Sequence, residues 1–449
     1  MEGSGQARAR TEGASIDRRC GICPRPAGNA PHGRRLAVVC QLLGADRRRR
    51  RHPLSSLCRA PPAAAEAPVE RPCVYVRHAD LVAGLRTQTS ALQAAVAQAY
   101  GYGGLGILAV TDVPQLAEHR QKMLPLGAKF AALPDAIKRK TETPHAFFQV
   151  GWSYGNEKLQ GDQPDWAKGS YYANPLVDVP SNDANLIARY PSFLEPNVWP
   201  SEDLPEFEGA FKALGRVVVD VGRMVAKQCD DYTASQCPGY EDGKLFKVLQ
   251  RSKCCKGRFL HYYPADQVQH LVGGQRNTAP DAVAAADTAF SDWCGWHNDH
   301  GSLTGLVPAM FMNARGEEVP NPDPSAGLYI RSTTGTLVKV LLPPGSSSLA
   351  FQIGETAQIH TGGILQATPH AVRGPSGQTA AGISRETMAV FMEPEFSGEM
   401  SLPAGRTVED VQSGEAVKFL PRSVKTLASR WKPGMNFGEF SDATFNSFY

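Results

Sequence analysis

The chain runs to 449 residues, long enough to bury one large core or two smaller ones. Its formal net charge of +3 offers no bulk electrostatic case for a polyanionic partner, and no apolar run reaches the length of a bilayer-spanning helix. Nucleic-acid and membrane partners are therefore not expected, and a soluble protein is.

Residues 1–70 stand apart: rich in Arg, Ala, Pro and Gly, free of lysine, and carrying Arg47 to Arg51 in a row. They read foremost as a disordered extension. An organellar transit peptide is the second reading, since such peptides are Arg-rich and acid-poor, although Glu2, Glu12 and Asp17 count against it. That reading would place the protein in a plastid or mitochondrion rather than the cytoplasm. A nucleic-acid patch at the arginines ranks third, because no aromatics interleave them. The ten cysteines are scattered, and Cys20 and Cys23 form the lone CxxC, without a second pair or paired histidines to complete a zinc site. No secretory signal is visible, so reduced intracellular thiols are expected.

Folded sequence is expected to begin near Pro72–Val76, with a helix over Leu85–Tyr100. The glycine cluster Gly101–Gly106 precedes an apolar run, Leu105–Val110, that reads as a strand; a dinucleotide loop would follow a strand and open a helix, so the cluster is a turn. Pro114–Arg139 is helical, broken near Pro125 and Pro134. Gly151–Asn174 is rich in aromatics and turn formers and reads as packing first, substrate pocket second. The clearest helix spans Glu202–Asp230, where Phe207, Phe211, Leu214, Val218, Val221 and Val225 form one apolar stripe and Ser201 is the expected N-cap.

After Arg258 the character changes. Short apolar segments separated by Gly, Pro and Ser take over: Arg258–Tyr263, Leu303–Phe311, Gly327–Arg331, Leu337–Leu342, Ser348–Ile353 and Thr387–Met392. Many short strands point to an antiparallel barrel or double-sheet jelly roll. The expected class is α+β: a helix-rich region at 71–250, a jelly roll at 251–400 and a C-terminal segment, 401–449, packed on the core.

Within the β-rich part lies Trp296-His297-Asn298-Asp299-His300-Gly301. On a strand, i and i+2 share a face, so His297 and Asp299 aim at one point. His370, in Thr368-Pro369-His370, would complete a 2-His-1-carboxylate triad, the set that holds Fe(II) and leaves positions open. Arg385 and Thr387 form a second i, i+2 pair, a planar guanidinium beside a hydroxyl, suited to gripping a carboxylate. His360 is a weaker rival for the third ligand. His300 faces away if the strand persists, and His261 and His270 are expected to be satisfied core histidines. Trp293, Trp296 and Cys294 read as packing. No Ser-His-Asp or Cys-His arrangement has supporting context.

Together these residues resemble the isopenicillin N synthase-like family of 2-oxoglutarate/Fe(II)-dependent dioxygenases. The likeness runs from about Pro72 to Glu395, strongest at Tyr262-Tyr263-Pro264, Trp296 to Gly301, Ile353-Gly354-Glu355, Thr368-Pro369-His370 and Arg385-Glu386-Thr387. It implies a double-stranded β-helix (jelly-roll, cupin-like) core flanked by N-terminal helices. It also implies Fe(II) on His297, Asp299 and His370, with 2-oxoglutarate as cosubstrate, O2, and ascorbate as a reductant. The far carboxylate of 2-oxoglutarate would pair with Arg385 and accept hydrogen bonds from Thr387 and Tyr263. The implied protein is a monomer that hydroxylates or desaturates a small molecule with release of succinate and CO2. An oxidase of the same fold that works without 2-oxoglutarate, and a non-catalytic binding module, stay open beside it. The sequence departs from the family in His261, where asparagine is usual, and in the roughly seventy residues between Asp299 and His370. The excess falls in Asn313–Ala326, expected to be a loop at the pocket entrance, with Gly151–Asn174 as a second specificity segment.

Overall fold

The computed structural model describes residues 67–157, 164–268, 294–375, 378–412 and 415–448. The arginine run, Cys20 and Cys23, His270 and Trp293 lie outside them. In chain order the strands are β1 (Val69–Pro72), β2 (Val74–Arg77), β3 (Ile107–Thr111), β4 (Gly151–Tyr154), β5 (Lys168–Ala173), β6 (Lys256–Tyr262), β7 (Cys294–His297) and β8 (Leu303–Leu306). They continue with β9 (Met310–Met312), β10 (Glu318–Val319), β11 (Gly327–Arg331), β12 (Leu337–Leu341), β13 (Leu349–Ile353), β14 (His370–Arg373) and β15 (Ser384–Met392).

Two sheets result. The smaller has the order β1-β12-β11-β14-β7; the larger runs β2-β3-β13-β8-β15-β6-β5-β4, with the β9–β10 hairpin on β15. Apart from the parallel pairs β1–β12 and β2–β3, the ladders are antiparallel. This is a mixed α+β architecture of large antiparallel sheets, consistent with a jelly-roll core. The larger sheet draws β2 to β5 from the first 250 residues, a stretch whose helices dominate its sequence pattern.

Period-two alternation divides the larger sheet's residues between two environments. Phe259, Leu303, Phe351, Met388, Val390 and Met392 join one large core with the helices Leu116–Ala131 and Glu206–Gln236. Their neighbours Leu260, Tyr262, Ala389 and Phe391 instead cluster with Val372 of the smaller sheet. The stripe on Glu206–Gln236 is fully buried, as its spacing demands, and Gly222 allows the close approach: a Cβ there would stand 2.3 Å from Met392 Sδ.

Three helices differ from the sequence reading in their extent. The long helix starts at Glu206 behind Pro205 rather than at Glu202 behind Ser201, and continues past Asp230 to Gln236. Asp230 looks like a terminator but is turned inward. It accepts the Tyr240 hydroxyl (2.5 Å) and the backbone N–H groups of Leu245 (2.8 Å) and Phe246 (2.9 Å), capping the next helix from inside this one. Burial raises its carboxyl to about 6 against those donors. Pro125 does not break Leu116–Ala131, because it sits on a half-buried face with Gln121 exposed one turn earlier, where the freed carbonyl can meet water. The helix expected over Leu85–Tyr100 starts at Ser90, capped by the Thr89 hydroxyl accepting from Leu92 N–H (3.3 Å), and a separate helix, His78–Gly84, precedes it.

Toward the C-terminus, Met400, Leu427, Trp431, Phe437 and Phe440 pack with Phe193, Leu194 and Ile359 in a cluster of their own. No helix among the described residues is long and apolar enough to cross a membrane.

Candidate metal centre

β14 pairs with β7 so that His370 stands opposite His297, their ring centroids 4.3 Å apart. Asp299 reaches the same point differently. β7 ends at His297, and Asp299 lies in the turn before β8, so strand alternation does not bring these two together. The turn does: Asp299 Oδ1 is 3.6 Å from His297 Nε2 and 3.7 Å from His370 Nε2. Among the described residues, these three form the one group of His, Cys, Asp and Glu side chains placed to hold a metal ion, their ligand atoms within 4.8 Å of one another.

The donor chemistry fits a divalent cation. Each imidazole is oriented through its other nitrogen, His297 Nδ1 on the Gly295 carbonyl (2.8 Å) and His370 Nδ1 on the Thr368 carbonyl (3.2 Å). A carbonyl only accepts, so both Nδ1 atoms carry a proton and both Nε2 atoms are left turned toward Asp299, where an ion would take their lone pairs in place of a proton. Asp299 Oδ2 is buried without a hydrogen-bond partner, an orphan of the kind a bound cation would satisfy. His297 is 32% exposed, whereas Asp299 and His370 are at 6% and 7%, so the site opens past His297. Burial pushes the His297 imidazolium down, but the Cys294 thiol, 3.7 Å from its Nδ1, and Asp299 outweigh it and hold the group at about 9. Burial and then His297's charge push His370 to about 4.

Of the residues expected to grip a carboxylate, the structure brings Arg385 and Thr387 to one face and sets Tyr263 apart. β15 sets Arg385 opposite Tyr262, and its guanidinium lies 5.1 Å over the Tyr262 ring. Burial lowers the Arg385 pKa. Tyr263, named for this role from the sequence, falls on the other face. Its ring packs on His261 (4.4 Å) and Tyr154 (5.1 Å), and His261 bonds Glu386, the neighbour that points away from Arg385. The physical reason is phase: the one-residue shift between Tyr262 and Tyr263 changes which face each meets. Thr387 shares the Arg385 face, but its hydroxyl donates to the Val307 carbonyl (2.9 Å).

The other histidines weighed from the sequence have different roles. His261 is a satisfied core residue held by Glu386 at 2.9 Å. His360 ends the helix Glu355–His360 and bonds the Glu399 carbonyl (3.1 Å), away from the triad. His300 stacks on Phe437 and meets the Ser441 hydroxyl at 3.1 Å.

Sequence reading missed a charged network on the β5–β6 wall. Lys168 and Ser170 stand opposite Tyr262 and Leu260, and Tyr172 opposite Arg258. Glu157 binds Arg258, Lys168 (3.1 Å) and the Tyr172 hydroxyl (3.0 Å), and Asp165 also pairs with Lys168. Burial raises the Glu157 carboxyl, but Arg258 and Lys168 overcome it and hold it at about 2. The only sequence signal was lysine and arginine in strands that otherwise read as buried. In the same region Trp152 and Tyr171 are core, packed on Phe130 at 5.3 Å and 5.0 Å. Asn313–Ala326 is no free loop in its first half: β10 closes a hairpin with β9, and Glu318 pairs with Arg120 of Leu116–Ala131 at 2.7 Å.

No protein-family model matches the sequence, and no curated protein matches it either. Solved structures do. A 2OG-Fe(II) oxygenase family protein of Caulobacter crescentus superposes with a TM-score of 0.56 at 16% identity, over 84% of this chain and 99% of that one. A full-length protein of Neurospora crassa, solved in complex with alpha-KG, gives 0.55 at 18% identity over 84% and 95%. The same Neurospora protein with alpha-KG and thymine gives 0.55 at 17% over 83% and 96%. The chain therefore shares, over nearly the whole length of each, the fold of 2OG-Fe(II) oxygenase structures.

Proposed function

We propose that this protein is an Fe(II)- and 2-oxoglutarate-dependent oxygenase of a small organic molecule, of the isopenicillin N synthase-like kind its motifs resemble. The observation that carries the reading is the triad itself: two Nε2 lone pairs and one orphaned carboxylate oxygen converging from β7, β14 and the turn between β7 and β8. Two histidines and one carboxylate are the facial set of non-haem Fe(II) oxygenases. Bound Fe(II) supplies open positions for a keto acid and O2 and the redox chemistry that turns 2-oxoglutarate into succinate and CO2.

The chain's own residues then have separate tasks. The Gly295 and Thr368 carbonyls fix the histidine tautomers. Arg385, from the larger sheet, takes the far carboxylate of 2-oxoglutarate; its charge does not titrate and its fork matches two oxygens. Tyr262 holds that guanidinium and replaces Tyr263 as the tyrosine of the cosubstrate site. Thr387 packs beside them and needs a rotamer change before its hydroxyl can donate to a ligand. Leu260, Ala389 and Phe391 keep the wall dry. Fold relatives that carry alpha-KG and thymine support a small-molecule substrate.

This assignment is tested by titrating 2-oxoglutarate into the anaerobic Fe(II) protein. Arg385→Lys is expected to weaken binding by about tenfold or more and Tyr262→Phe by several-fold, with Tyr263→Phe unchanged. A loss confined to Tyr263→Phe would return the role to that residue, and an unaffected Arg385→Lys would remove Arg385 from the site.

A further inference from the structure

The turn that carries Asp299 is gripped from behind by a part of the chain far away in sequence. Glu355 N–H donates to the Asp299 carbonyl (2.8 Å), Gly354 N–H to the Ser302 carbonyl (3.0 Å), and the Thr356 hydroxyl to the His300 carbonyl (2.6 Å). The approach is close enough that a Cβ on Gly354 would stand 2.1 Å from the Gly301 carbonyl oxygen. The Glu355 side chain adds a second link. Its Oε1 accepts from Asn298 Nδ2 at 3.1 Å, and Asn298 is the residue between the two ligands His297 and Asp299. The same oxygen is paired at 2.5 Å with Arg430 Nη2, both side chains buried at 2% and 3% exposure. Arg430 is in turn fixed by the Thr444 hydroxyl (3.0 Å) and the Lys425 carbonyl (3.1 Å). One carboxylate oxygen thus joins the metal turn to the C-terminal segment.

We propose that Glu355, Arg430 and Asn298 are positioning residues for the metal centre, so that the C-terminal segment around Lys425–Thr444 is a functional part of it. The inference rests on the triad being a metal site. A charge-assisted bond from Arg430 Nη2 to Glu355 Oε1 explains why this buried position holds a carboxylate and an arginine. The pair costs desolvation that an apolar packing would avoid, and it returns a fixed geometry for the Asn298 amide. Asn298 then sets the separation of His297 from Asp299, as outer-shell partners set ligands elsewhere. None of the three touches the metal position.

Two variants separate positioning from folding. Asn298→Ala cuts only the link between the turn and the buried pair. Arg430→Gln removes the guanidinium charge that pins Glu355. Co(II) and anaerobic Fe(II) affinity, the Co(II) d–d spectrum and the apo melting temperature are measured for each full-length protein. Asn298→Ala is expected to melt like the wild type yet to bind both ions about tenfold or more weakly, with a shifted Co(II) spectrum. Arg430→Gln is expected to weaken binding similarly and to melt lower. Wild-type affinity and spectrum in folded Asn298→Ala would overturn the positioning role while leaving the metal site intact. A wild-type protein that binds neither ion would overturn the metal reading and this inference with it.

Discussion

Asp299→Ala is expected to cost more than about a hundredfold in Fe(II) affinity, beyond the ~10–100-fold that outer-shell partners typically carry. Asp299 is the only anionic member of the triad, and both histidine Nε2 atoms are spaced around its Oδ1. The same substitution is expected to leave the apo protein melting close to wild type. A buried carboxylate whose Oδ2 has no hydrogen-bond partner carries a desolvation cost of about 1–3 kcal/mol that offsets its attraction to His297, so its removal takes away little folding energy. Isothermal titration with Fe(II) under nitrogen, beside thermal melting of the apo protein, reads both halves. A large drop in melting temperature with unchanged Fe(II) affinity would make Asp299 a structural residue.

The second large effect is on stability. Arg258→Met is expected to destabilise the fold by about 3 kcal/mol, because it leaves Glu157 half of its cationic partners in a partly buried site. Glu157 is held at about 2 in the folded protein against its ordinary 4.5. A carboxyl depressed on folding contributes stability that is present above its unfolded pKa and is lost as pH falls through its folded one. The wild type therefore loses that contribution between about pH 4.5 and pH 2. Arg258→Met, with Glu157 held down by Lys168 and the Tyr172 hydroxyl without Arg258, has a flatter limb over that range. Adding Glu157→Gln to Arg258→Met is expected to recover part of the loss, since no unpaired charge then remains. Urea unfolding at several pH values measures these proteins together with Glu157→Gln alone, and additive losses would show that the two side chains do not interact.

Residue chemistry that repeats at short range was legible in the chain. The apolar stripe from Phe207 to Val225 gave the long helix, and runs such as Gly327–Arg331 gave strands with the bounds they have in the structure. The sequence brought His297, Asp299 and His370 together for a reason that proved partly mistaken. A same-face strand pair was expected, whereas β7 stops at His297 and the turn swings Asp299 in. The chemistry of the set survives because a metal site needs converging donors, not a particular backbone.

Phase and long-range pairing were not legible. Whether Tyr262 or Tyr263 shares a face with Arg385 depends on one residue of register against β15, which the alternation of His261, Tyr262 and Tyr263 leaves undetermined. Glu157, Lys168 and Arg258 meet only because β5 pairs with β6, about ninety residues further on. Glu355 meets Arg430 across seventy-five residues, with no local pattern to announce it. Asp230 and Pro125 misled because each has surroundings that the local sequence does not show. Asp230 faces inward onto the next helix's N-terminus, and Pro125 lies where a lost hydrogen bond can be replaced by water.

The most direct test of the oxygenase assignment needs no knowledge of the substrate. Fe(II) and 2-oxoglutarate are added to the protein without oxygen, and the visible spectrum is searched for the weak charge-transfer band of an iron-chelated keto acid. The wild type is expected to give the band, His370→Ala to lose it and Arg385→Ala to need far more 2-oxoglutarate to develop it. Tight Fe(II) binding with no band at saturating 2-oxoglutarate would contradict the cosubstrate and favour an iron oxidase of the same fold. A wild type that binds no Fe(II) would contradict the enzyme.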